Sequence, residues 1–374
     1  MRIAMVTPGF SASDEDWCIP ALQDLACRLG ERHQVQVFTT TYPHRRSDYL
    51  VKGIPVSSYG DGRSGPLALA KRSWRTTAAI AAAHRDDPFD VLHGFWTDRG
   101  GIVTAWAAHR LAVPNIVTAM GGELSYERLI GYGKSRLPIS GRIARFGARQ
   151  ADALVVNTGY HAARIRTESP ALVSRVVPFG TDTRRCSPRG QVRSLCGQVA
   201  VLCVGSLVPV KGHSVVLQAF ATALAQLHGL HLHIVGEGEL ESTLRRQAGQ
   251  LGIAHAVSFH GHIEHDLLAQ YYRGSSFCVL GSYFESHGMV ILEAAACGRV
   301  TIGSNVGSMP DICPAEVLSQ PGDATALAAN FVQVASDRER RSQLGKMARE
   351  NVCKGFTLEQ SVHGYEEVYR SCMI

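Results

Sequence analysis

The segment Tyr283–Gly298 reads YFESHGMVILEAAACG and indicates more about the fold than any other stretch of the chain. It places Glu285 and Glu293 eight positions apart, with a Ser-His-Gly turn and the start of an apolar helix between them. Eight residues make a little over two helical turns, so both carboxylates are expected on one side of a loop-to-helix junction. Two glutamates at this spacing usually lie on a solvated helix face. Here MVILEAAACG is too apolar for a surface helix, so Glu293 is expected to be buried and to need a partner or a ligand.

The turn between the two glutamates has the features of an anion-binding site. A helix N-terminus offers backbone N–H groups without intrahelical partners and the positive end of the helix dipole. The residues expected to contribute to this spot are Ser286, His287, Gly288, Met289 and Val290. Such a spot suits a diphosphate, and a carboxylate on either side can accept hydrogen bonds from sugar hydroxyls.

Strand-like and helix-like segments alternate along the whole chain. The strand-like segments are RIAMVT (2–7), VQVFTT (35–40), DVLHGF (90–95), NIVTAM (115–120), ALVVNT (153–158), AVLCVGS (200–206), LHLHIVG (230–236), VSFHG (257–261), FCVLGS (277–282) and RVTIGS (299–304). This alternation predicts parallel sheets with right-handed crossovers. The expected fold is therefore α/β, with two Rossmann-like, doubly wound domains facing a cleft in which ligands bind at the carboxyl ends of the strands.

Length and composition limit the class of protein. A chain of 374 residues suits two domains, and its 45% hydrophobic content is enough for ordinary cores. No run of about 18 apolar residues is present, so no membrane-spanning helix is expected. The beginning MRIAMVTPGF predicts a first strand and turn rather than a signal peptide, which favours a cytoplasmic location. The ten cysteines and 16 histidines show no ligand spacing, so free thiols and no metal site are expected.

The net charge of +6 lies entirely in the first half of the chain. Residues 1–182 carry 22 Lys and Arg against 16 Asp and Glu, and the remainder carries 16 of each. One basic cluster surrounds Trp74, and a second runs from Lys134 to Arg149 and alternates with apolar residues. The second cluster fits an amphipathic helix in peripheral contact with an anionic membrane. It also fits a helix whose apolar side packs on its own domain. Nucleic acid is a poor fit, because no aromatic platform accompanies the basic residues.

The Glu-x7-Glu segment resembles the signature of retaining glycosyltransferases of family 4, which have the GT-B fold. Further segments resemble that family in the expected order: VGSLVPVKGHSVVLQAF (204–220), HIVGEGEL (233–240), FHGHI (259–263) and, as the interdomain hinge, VVPFGTDTRRCSP (176–188). The resemblance covers essentially the whole chain. It implies an acceptor-side domain at 1–182, a nucleotide-sugar domain at 183–356, and a last helix at 357–374 that packs back onto the first domain.

The resemblance also implies roles for individual residues. Lys211 would place its ammonium on the phosphates, Gly205 would let the backbone approach them, and Glu285 would contact the transferred sugar. Glu293 would hold the ribose hydroxyls, and His262 and Ile263 would contact the base mostly through the backbone. An exposed lysine at a helix start is the alternative interpretation for Lys211.

Two positions depart from the family pattern. Ser206 stands where an arginine is usual, and a serine cannot clamp a diphosphate as a bidentate guanidinium does. Arg99 and Arg184 are candidates to replace that arginine. Met120 stands where the family commonly has a histidine against the donor sugar.

The acceptor side is predicted around TAMGGEL (118–124). Gly121 and Gly122 are assigned to substrate binding, and Glu123 is a candidate carboxylate or else a loop residue without a role. The following IGYG (130–133) is similar to a subgroup of these transferases that combines it with Gly-Gly-Glu-Leu.

Two further segments of the first half carry candidate acceptor residues. The acidic run Asp14–Asp16 is interpreted as an acceptor site or, with slight preference, as an N-terminal cap for the helix that follows. His93 and Trp96 are expected to face the cleft, where Trp96 would stack on a sugar ring or pack in a core.

These observations predict a metal-independent, retaining glycosyltransferase. The donor is expected to be a nucleotide-diphospho sugar, a UDP-sugar before a GDP-sugar, and the acceptor a hydroxyl of a glycan, lipid or small metabolite. No further cofactor is expected, because the leaving diphosphate helps to take the acceptor proton in this family. Two alternatives remain. One is a non-catalytic relative that binds a sugar nucleotide or acts as a subunit, and the other is an epimerase or hydrolase on the same fold.

Overall fold

The computed structural model describes residues 1–373. The chain divides into two compact units. Unit 1 comprises Met1–Tyr126, Gly131–Gly180 and the chain from Leu358 onward, and unit 2 comprises Glu127–Ile130 and Thr181–Thr357. The assignment of acceptor and donor domains to 1–182 and 183–356 stays a prediction.

The first 180 residues contain strands and five longer helices. The strands are β1 (Arg2–Gly9), β2 (Gln34–Tyr42), β3 (Arg46–Val51), β4 (Ile54–Tyr59), β5 (Val91–Phe95), β6 (Asn115–Thr118), β7 (Tyr126–Glu127), β8 (Tyr132–Gly133), β9 (Ala153–Val156) and β10 (Ser174–Val176). The helices are α1 (Pro20–Gly30), α2 (Pro66–Asp86), α3 (Gly101–Leu111), α4 (Ser140–Arg149) and α5 (Gly159–Glu168).

The remaining strands and helices follow in the same alternation. The strands are β11 (Val199–Val204), β12 (Leu230–Val235), β13 (Val257–Phe259), β14 (Phe277–Leu280), β15 (Thr301–Ser304) and β16 (Leu318–Ser319). The helices are α6 (His213–Leu224), α7 (Glu241–Gln250), α8 (His265–Gly274), α9 (Met289–Ala296), α10 (Met309–Ile312), α11 (Ala324–Ser336), α12 (Arg338–Gly355) and α13 (Leu358–Cys372).

The sheet of unit 1 has the strand order β10-β9-β6-β5-β1-β2-β4-β3. Its neighbours pair in parallel except for β3, which runs antiparallel to β4 at one edge. The connections through α2, α3 and α4 all move in one direction along the sheet, so right-handed crossovers place these helices on one face. The connection through α1 moves in the other direction, and α13 packs against α1 on the opposite face.

The sheet of unit 2 is parallel throughout, with the order β13-β12-β11-β14-β15-β16. Strand order reverses between β11 and β14, because β11 leads outward to β12 and β14 leads outward to β15 on the other side. The central strands are buried on both faces, as Leu202 and Phe277 illustrate with 0% exposure each. A reversal of this kind leaves a crevice between the two diverging loops at the carboxyl ends of the strands.

The fold class predicted from the sequence is confirmed. Each of the ten predicted segments forms a strand, and each belongs to a parallel array. The edge pair β3 and β4 was not predicted. The interpretation of Asp14–Asp16 as a helix cap is wrong, because α1 begins at Pro20 without an acidic residue in its first turn. Asp16 instead accepts hydrogen bonds from the Tyr42 hydroxyl and the Ala12 N–H. Among the described residues, no helix is both long and apolar enough to cross a bilayer.

Candidate functional site

The predicted phosphate-binding residues of unit 2 lie at the point where its strand order reverses. Gly205 and Lys211 follow β11, and Glu285 and Gly288 follow β14, the strand next to β11. Because both loops leave the carboxyl ends of neighbouring parallel strands, they meet at one edge of the sheet. Lys211 and Glu285, which are 74 positions apart in the chain, are thereby brought into one site.

The two loops are held together by backbone contacts that only glycine permits. A Cβ on Gly212 would lie 1.9 Å from the Gly281 carbonyl oxygen, and a Cβ on Gly281 would lie 2.7 Å from the Gly212 oxygen. Gly212 also has a φ of +62°, which favours glycine. The Tyr283 N–H donates to the Val210 carbonyl at 2.8 Å and closes the contact. Lys211 is thus held in a fixed position relative to the loop that carries Glu285.

Lys211 and Glu285 form an ion pair in this site. The Lys211 Nζ donates to the Glu285 Oε1 at 2.6 Å, and the Ser282 hydroxyl donates to the same oxygen at 2.8 Å. The Glu285 side chain is only 9% exposed and that of Lys211 is 27% exposed. The alternative interpretation of Lys211 as an exposed lysine at a helix start is therefore wrong, because its side chain is half-buried and ion-paired. The Lys211 ammonium and the Glu285 carboxylate therefore lie side by side where the loops after β11 and β14 meet.

The N-terminus of α9 begins directly after this pair. Gly288 has a φ of +94° and turns the chain into the helix at Met289. The preceding loop is anchored by Ser308, whose N–H and hydroxyl donate to the His287 carbonyl oxygen at 2.8 and 2.9 Å. Gly307 lies so close that a Cβ there would be 2.4 Å from the same oxygen. The positive end of the helix dipole therefore lies next to Lys211 and Glu285.

Glu293 lies in the second turn of α9 and is 4% exposed, as its apolar surroundings predicted. Its Oε2 accepts a hydrogen bond from the Tyr272 hydroxyl at 2.9 Å, and the His265 Nε2 lies 3.9 Å from its Oε1. Burial, together with the charge of Glu293, raises the pKa of Tyr272 well above its usual value, so Tyr272 remains a donor at neutral pH. Glu293 therefore has a partner in the fold as well as its predicted role toward ribose.

The ends of β12 and β13 complete the same edge of the sheet. A Cβ on Gly236 would lie 2.1 Å from the Gly205 carbonyl oxygen, so these two loops are also in contact. The His262 N–H donates to the Glu237 Oε1 at 3.3 Å, and the His262 side chain is exposed. Glu237 was not singled out from the sequence, although it lies in the glycine-rich turn HIVGEGEL.

His213 is a residue of this site that sequence reasoning missed. It is the first residue of α6 and is 2% exposed, and its Cε1 would lie 4.0 Å from a Cβ on Gly205. Within residues 1–373, neither ring nitrogen has a hydrogen-bond partner. Burial, assisted by the Lys211 charge, lowers the pKa of His213 to about 4, so the imidazole is neutral. A buried polar group without a partner beside an anion site is suited to meet a ligand.

Ser206, which stands where the resemblance to the family led us to expect an arginine, is exposed in the structure. Arg184, one of the two proposed replacements, is 72% exposed and pairs with Asp182 two residues earlier. The other, Arg99, belongs to unit 1. Among the described residues, Arg184 therefore contacts Asp182 and makes no hydrogen bond with Ser206.

In unit 1, Glu123 and the glycine pair line a cavity of about 330 Å³ together with Trp96, Tyr132 and Lys134. Glu123 is 3% exposed, and its carboxylate accepts backbone N–H groups of its own loop from Met120 at 2.9 Å and Gly121 at 2.8 Å. Burial, with the nearby charge of Asp98, raises the pKa of Glu123, while the N–H groups act in the opposite direction. Glu123 therefore shapes this loop, and its predicted catalytic role stays a prediction.

Trp96 and His93 lie in different environments, although His93 is in the middle of β5 and Trp96 directly follows that strand. Trp96 is half-buried, lines the cavity and has a φ of +62°, which is rare for a tryptophan. His93 has 0% exposure, and its ring nitrogens lie 2.8 Å from the hydroxyls of Tyr369 and Thr118. The expectation that His93 faces an open cleft is wrong, because α13 covers it.

Comparisons with known proteins identify the class. Residues 19–180 match the model described as a glycosyl transferase 4-like domain, and residues 192–351 match glycosyl transferases group 1. Sucrose-phosphate synthase of Thermosynechococcus elongatus superposes with a TM-score of 0.81 at 23% identity, over 99% of this chain and 98% of its own. Fold and family models together define a glycosyltransferase of the GT-B type. The chain belongs to family 4 of the glycosyltransferases.

Three further similarities add detail. An N-acetyl-alpha-D-glucosaminyl L-malate synthase of Bacillus anthracis is 24% identical, over 92% of this chain and 91% of its own. A D-inositol 3-phosphate glycosyltransferase of Saccharomonospora viridis is 27% identical, over 91% of this chain and 85% of its own. The Anabaena protein HepE, solved in complex with UDP-glucose, superposes with a TM-score of 0.74 at 18% identity, over 99% of this chain and 100% of its own.

Proposed function

We propose that this enzyme transfers a sugar, with retention of configuration, from a nucleotide-diphospho sugar to a hydroxyl acceptor. The observation that carries the proposal is the Lys211–Glu285 pair at the N-terminus of α9, at the reversal of strand order. One cation, one oriented carboxylate and a helix N-terminus fit a diphosphate joined to a sugar. A UDP-sugar is favoured over a GDP-sugar, and the UDP-glucose complex of HepE supports that order.

The electrostatics of the site support chemistry without a metal. Departure of the nucleotide leaves negative charge on the diphosphate, and Lys211 together with the backbone N–H groups at residues 286–289 would stabilise it. In this proposal the diphosphate itself helps to take the acceptor proton, so no side chain acts as a nucleophile. Glu285 would contact the transferred sugar, and Glu293 would hold the ribose hydroxyls.

The acceptor is proposed to be a hydroxyl of a glycan, lipid or small metabolite. Two relatives are named for acceptors that carry a hydroxyl beside an anionic group, an inositol phosphate and malate. The cavity beside Trp96 and Tyr132 is the proposed place for the acceptor, because aromatic rings suit the apolar face of a sugar or polyol. Its volume of about 330 Å³ suits a small ring.

Nucleotide titrations test the donor assignment. Calorimetry with UDP, GDP, ADP and TDP is expected to show selective binding of UDP by the wild type. Lys211→Ala is expected to weaken that binding more than tenfold, which is over about 1.4 kcal/mol, because the main cation of the site is lost. Lys346→Ala, an exposed lysine of α12, is the matched control and is expected to bind as the wild type.

The same experiment weighs the rival function. Ser206 and Met120 favour a relative that binds a sugar nucleotide without transferring it. Unchanged UDP affinity in Lys211→Ala would remove the donor assignment. Retained UDP binding with no UDP release from UDP-glucose across polyol, hydroxy-acid, glycan and lipid acceptors would support the non-catalytic relative. Turnover that persists in EDTA would support the metal-independent proposal.

A further inference from the structure

The outer surface of α2, α3 and α4 in unit 1 has an unusual composition. These helices follow one another on one face of the sheet, and α3 packs against both α2 and α4. Six large apolar side chains are exposed on this layer: Leu67, Trp74, Trp106, Ile139, Ile143 and Phe146. Their exposed fractions run from 43% for Ile143 to 86% for Leu67, so the layer presents apolar surface outward.

Helix α4 shows that this exposure follows from how the helix packs. Its buried residues are small: Gly141, Ala144, Gly147 and Ala148. Gly147 lies so close to the turn at Thr97 that a Cβ would be 1.9 Å from the Thr97 carbonyl oxygen. The small face is therefore the packing face, and Ile143 and Phe146 are on the other side. The interpretation in which the large apolar residues of α4 pack on their own domain is wrong.

The same layer is strongly basic. Together α2, α3 and α4 contain eight Lys or Arg residues and one acidic residue, Asp86, at the C-terminal end of α2. One of the eight, Arg72, is buried and paired with Asp61, so seven remain for the outer surface. Lys71, Arg110, Arg142 and Arg149 are exposed. None of these four forms an ion pair with another described residue. Acidic groups at the margin of the layer are already paired, as Lys134 with Asp98 at 2.5 Å illustrates.

We propose that this outer helical layer docks on an anionic lipid bilayer. Tryptophan and phenylalanine enter the headgroup region, and the surrounding Lys and Arg meet anionic lipid. A second copy fits poorly, because a symmetric contact would place arginines against arginines. A nucleic acid would use the positive charge but would leave the exposed aliphatic residues in water. The proposal does not depend on the donor assignment, since it concerns only unit 1.

Vesicle co-sedimentation of the full-length protein tests the proposal. The probes are phosphatidylcholine vesicles with and without about a third phosphatidylglycerol, at low and high salt. The expected result is binding to the anionic vesicles only, weakened severalfold by salt. The double variant Arg142→Glu with Phe146→Glu is expected to lose at least about tenfold in partitioning, because charge attraction and apolar insertion both fail.

A matched control separates this surface from net charge. Arg46→Glu with Leu50→Glu changes the charge equally on β3, where Leu50 is 64% exposed. This control is expected to bind vesicles as the wild type, and both double variants are expected to keep wild-type nucleotide affinity without vesicles. Failure of the wild type to bind anionic vesicles would overturn the proposal. Equal loss in both double variants, a dimer that only Phe146→Glu disrupts, or RNA that displaces the vesicles would also overturn it.

Discussion

Glu293 has both a hydrogen-bond partner inside the fold and a proposed role in binding the donor. The side chain is 4% exposed and accepts a hydrogen bond from the Tyr272 hydroxyl. Removal to alanine would leave a buried tyrosine hydroxyl without its acceptor, which costs about 1–3 kcal/mol. A loss of nucleotide binding in that variant would therefore not distinguish a ribose ligand from a structural residue.

A pair of conservative variants makes the distinction. Glu293→Gln keeps an acceptor for Tyr272 but loses the charge, so we expect UDP affinity to fall more than tenfold while stability changes by less than about 1.5 kcal/mol. Tyr272→Phe removes the internal hydrogen bond and is expected to lower stability with little effect on UDP affinity. Calorimetry and urea unfolding of both variants provide the measurements. Equal losses of UDP affinity in the two variants would show that Glu293 acts only through the packing of α9.

For His213 the opposite result is expected, because its buried ring has no hydrogen-bond partner in the part of the chain that the structure describes. Replacement by phenylalanine removes an unsatisfied polar group, so His213→Phe is expected to be at least as stable as the wild type. If the imidazole meets the diphosphate, UDP affinity falls about fivefold to tenfold, the value of one hydrogen bond. Thermal unfolding with and without UDP measures both quantities. Wild-type UDP affinity in this variant would remove His213 from the donor site.

These residues show where the sequence is informative. Lys211 and Glu285 lie on short loops directly after β11 and β14. Their position at the carboxyl edge of the sheet therefore follows from their distance along the chain from those strands. The burial of His213 and His93 depends on what packs over them, such as α13 over His93, and no local pattern records it. The same limit explains why Asp16 was assigned to a helix that it does not cap.

At the scale of elements, the site depends on the contact between the loops after β11 and β14. Gly281→Ala would place a methyl group 2.7 Å from both the Gly212 oxygen and the Val216 Cγ2. We expect this substitution to push the loops apart, to cost about 1–3 kcal/mol of stability and to weaken UDP binding by more than tenfold, because Lys211 moves away from Glu285. Urea unfolding and calorimetry measure the two effects.

Gly249→Ala in α7 is the matched control. A Cβ at that position has no neighbour within 4 Å, and the residue is helical. Alanine there is expected to stabilise the protein by about 0.5–1 kcal/mol and to leave nucleotide binding unchanged. If Gly281→Ala behaved in the same way, the loops would not be held by this glycine contact.

Element type was predictable, but element orientation was not. Apolar β-rich runs alternating with helical segments predicted ten parallel strands, because buried parallel strands have a simple composition. The pair β3 and β4 was not predicted. For β3, which is the edge strand, the alternation of exposed and half-buried residues gives little apolar signal. In α4 the periodicity was correct, yet the packing face proved to be the glycine and alanine side. Close helix packing on small residues depends on tertiary contacts, which helical periodicity does not reveal.

On the scale of the whole molecule, buried neutral histidines couple stability to pH in both units. Burial lowers the pKa of His93 to about 3 and that of His161 to about 4, both in unit 1. In unit 2, burial lowers the pKa of His213 to about 4. In the unfolded chain each would titrate near its ordinary pKa of about 6.5.

The sign of the effect follows from proton binding. Between about pH 6.5 and pH 4 the unfolded chain binds more protons than the folded protein, so each histidine contributes stability that is present above about pH 6.5 and is lost as the pH falls. The raised pKa of Glu123 acts in the opposite direction, above the ordinary pKa of a glutamate, and offsets part of this loss in unit 1. The comparison of the wild type with a variant that lacks one histidine therefore isolates the contribution of that histidine between pH 7 and pH 5.

We expect the free energy of unfolding to fall from pH 7 to pH 5, by on the order of 1–2 kcal/mol for each buried histidine. Urea unfolding at pH 7, 6 and 5 measures this slope, with separate probes for the two units because they need not unfold together. In His213→Phe the slope of unit 2 is expected to decrease by about one proton's contribution, while that of unit 1 stays unchanged. Identical slopes for unit 2 in the wild type and His213→Phe would show that the His213 ring is not buried neutral. His213 would then no longer be a candidate for an uncharged donor beside the diphosphate.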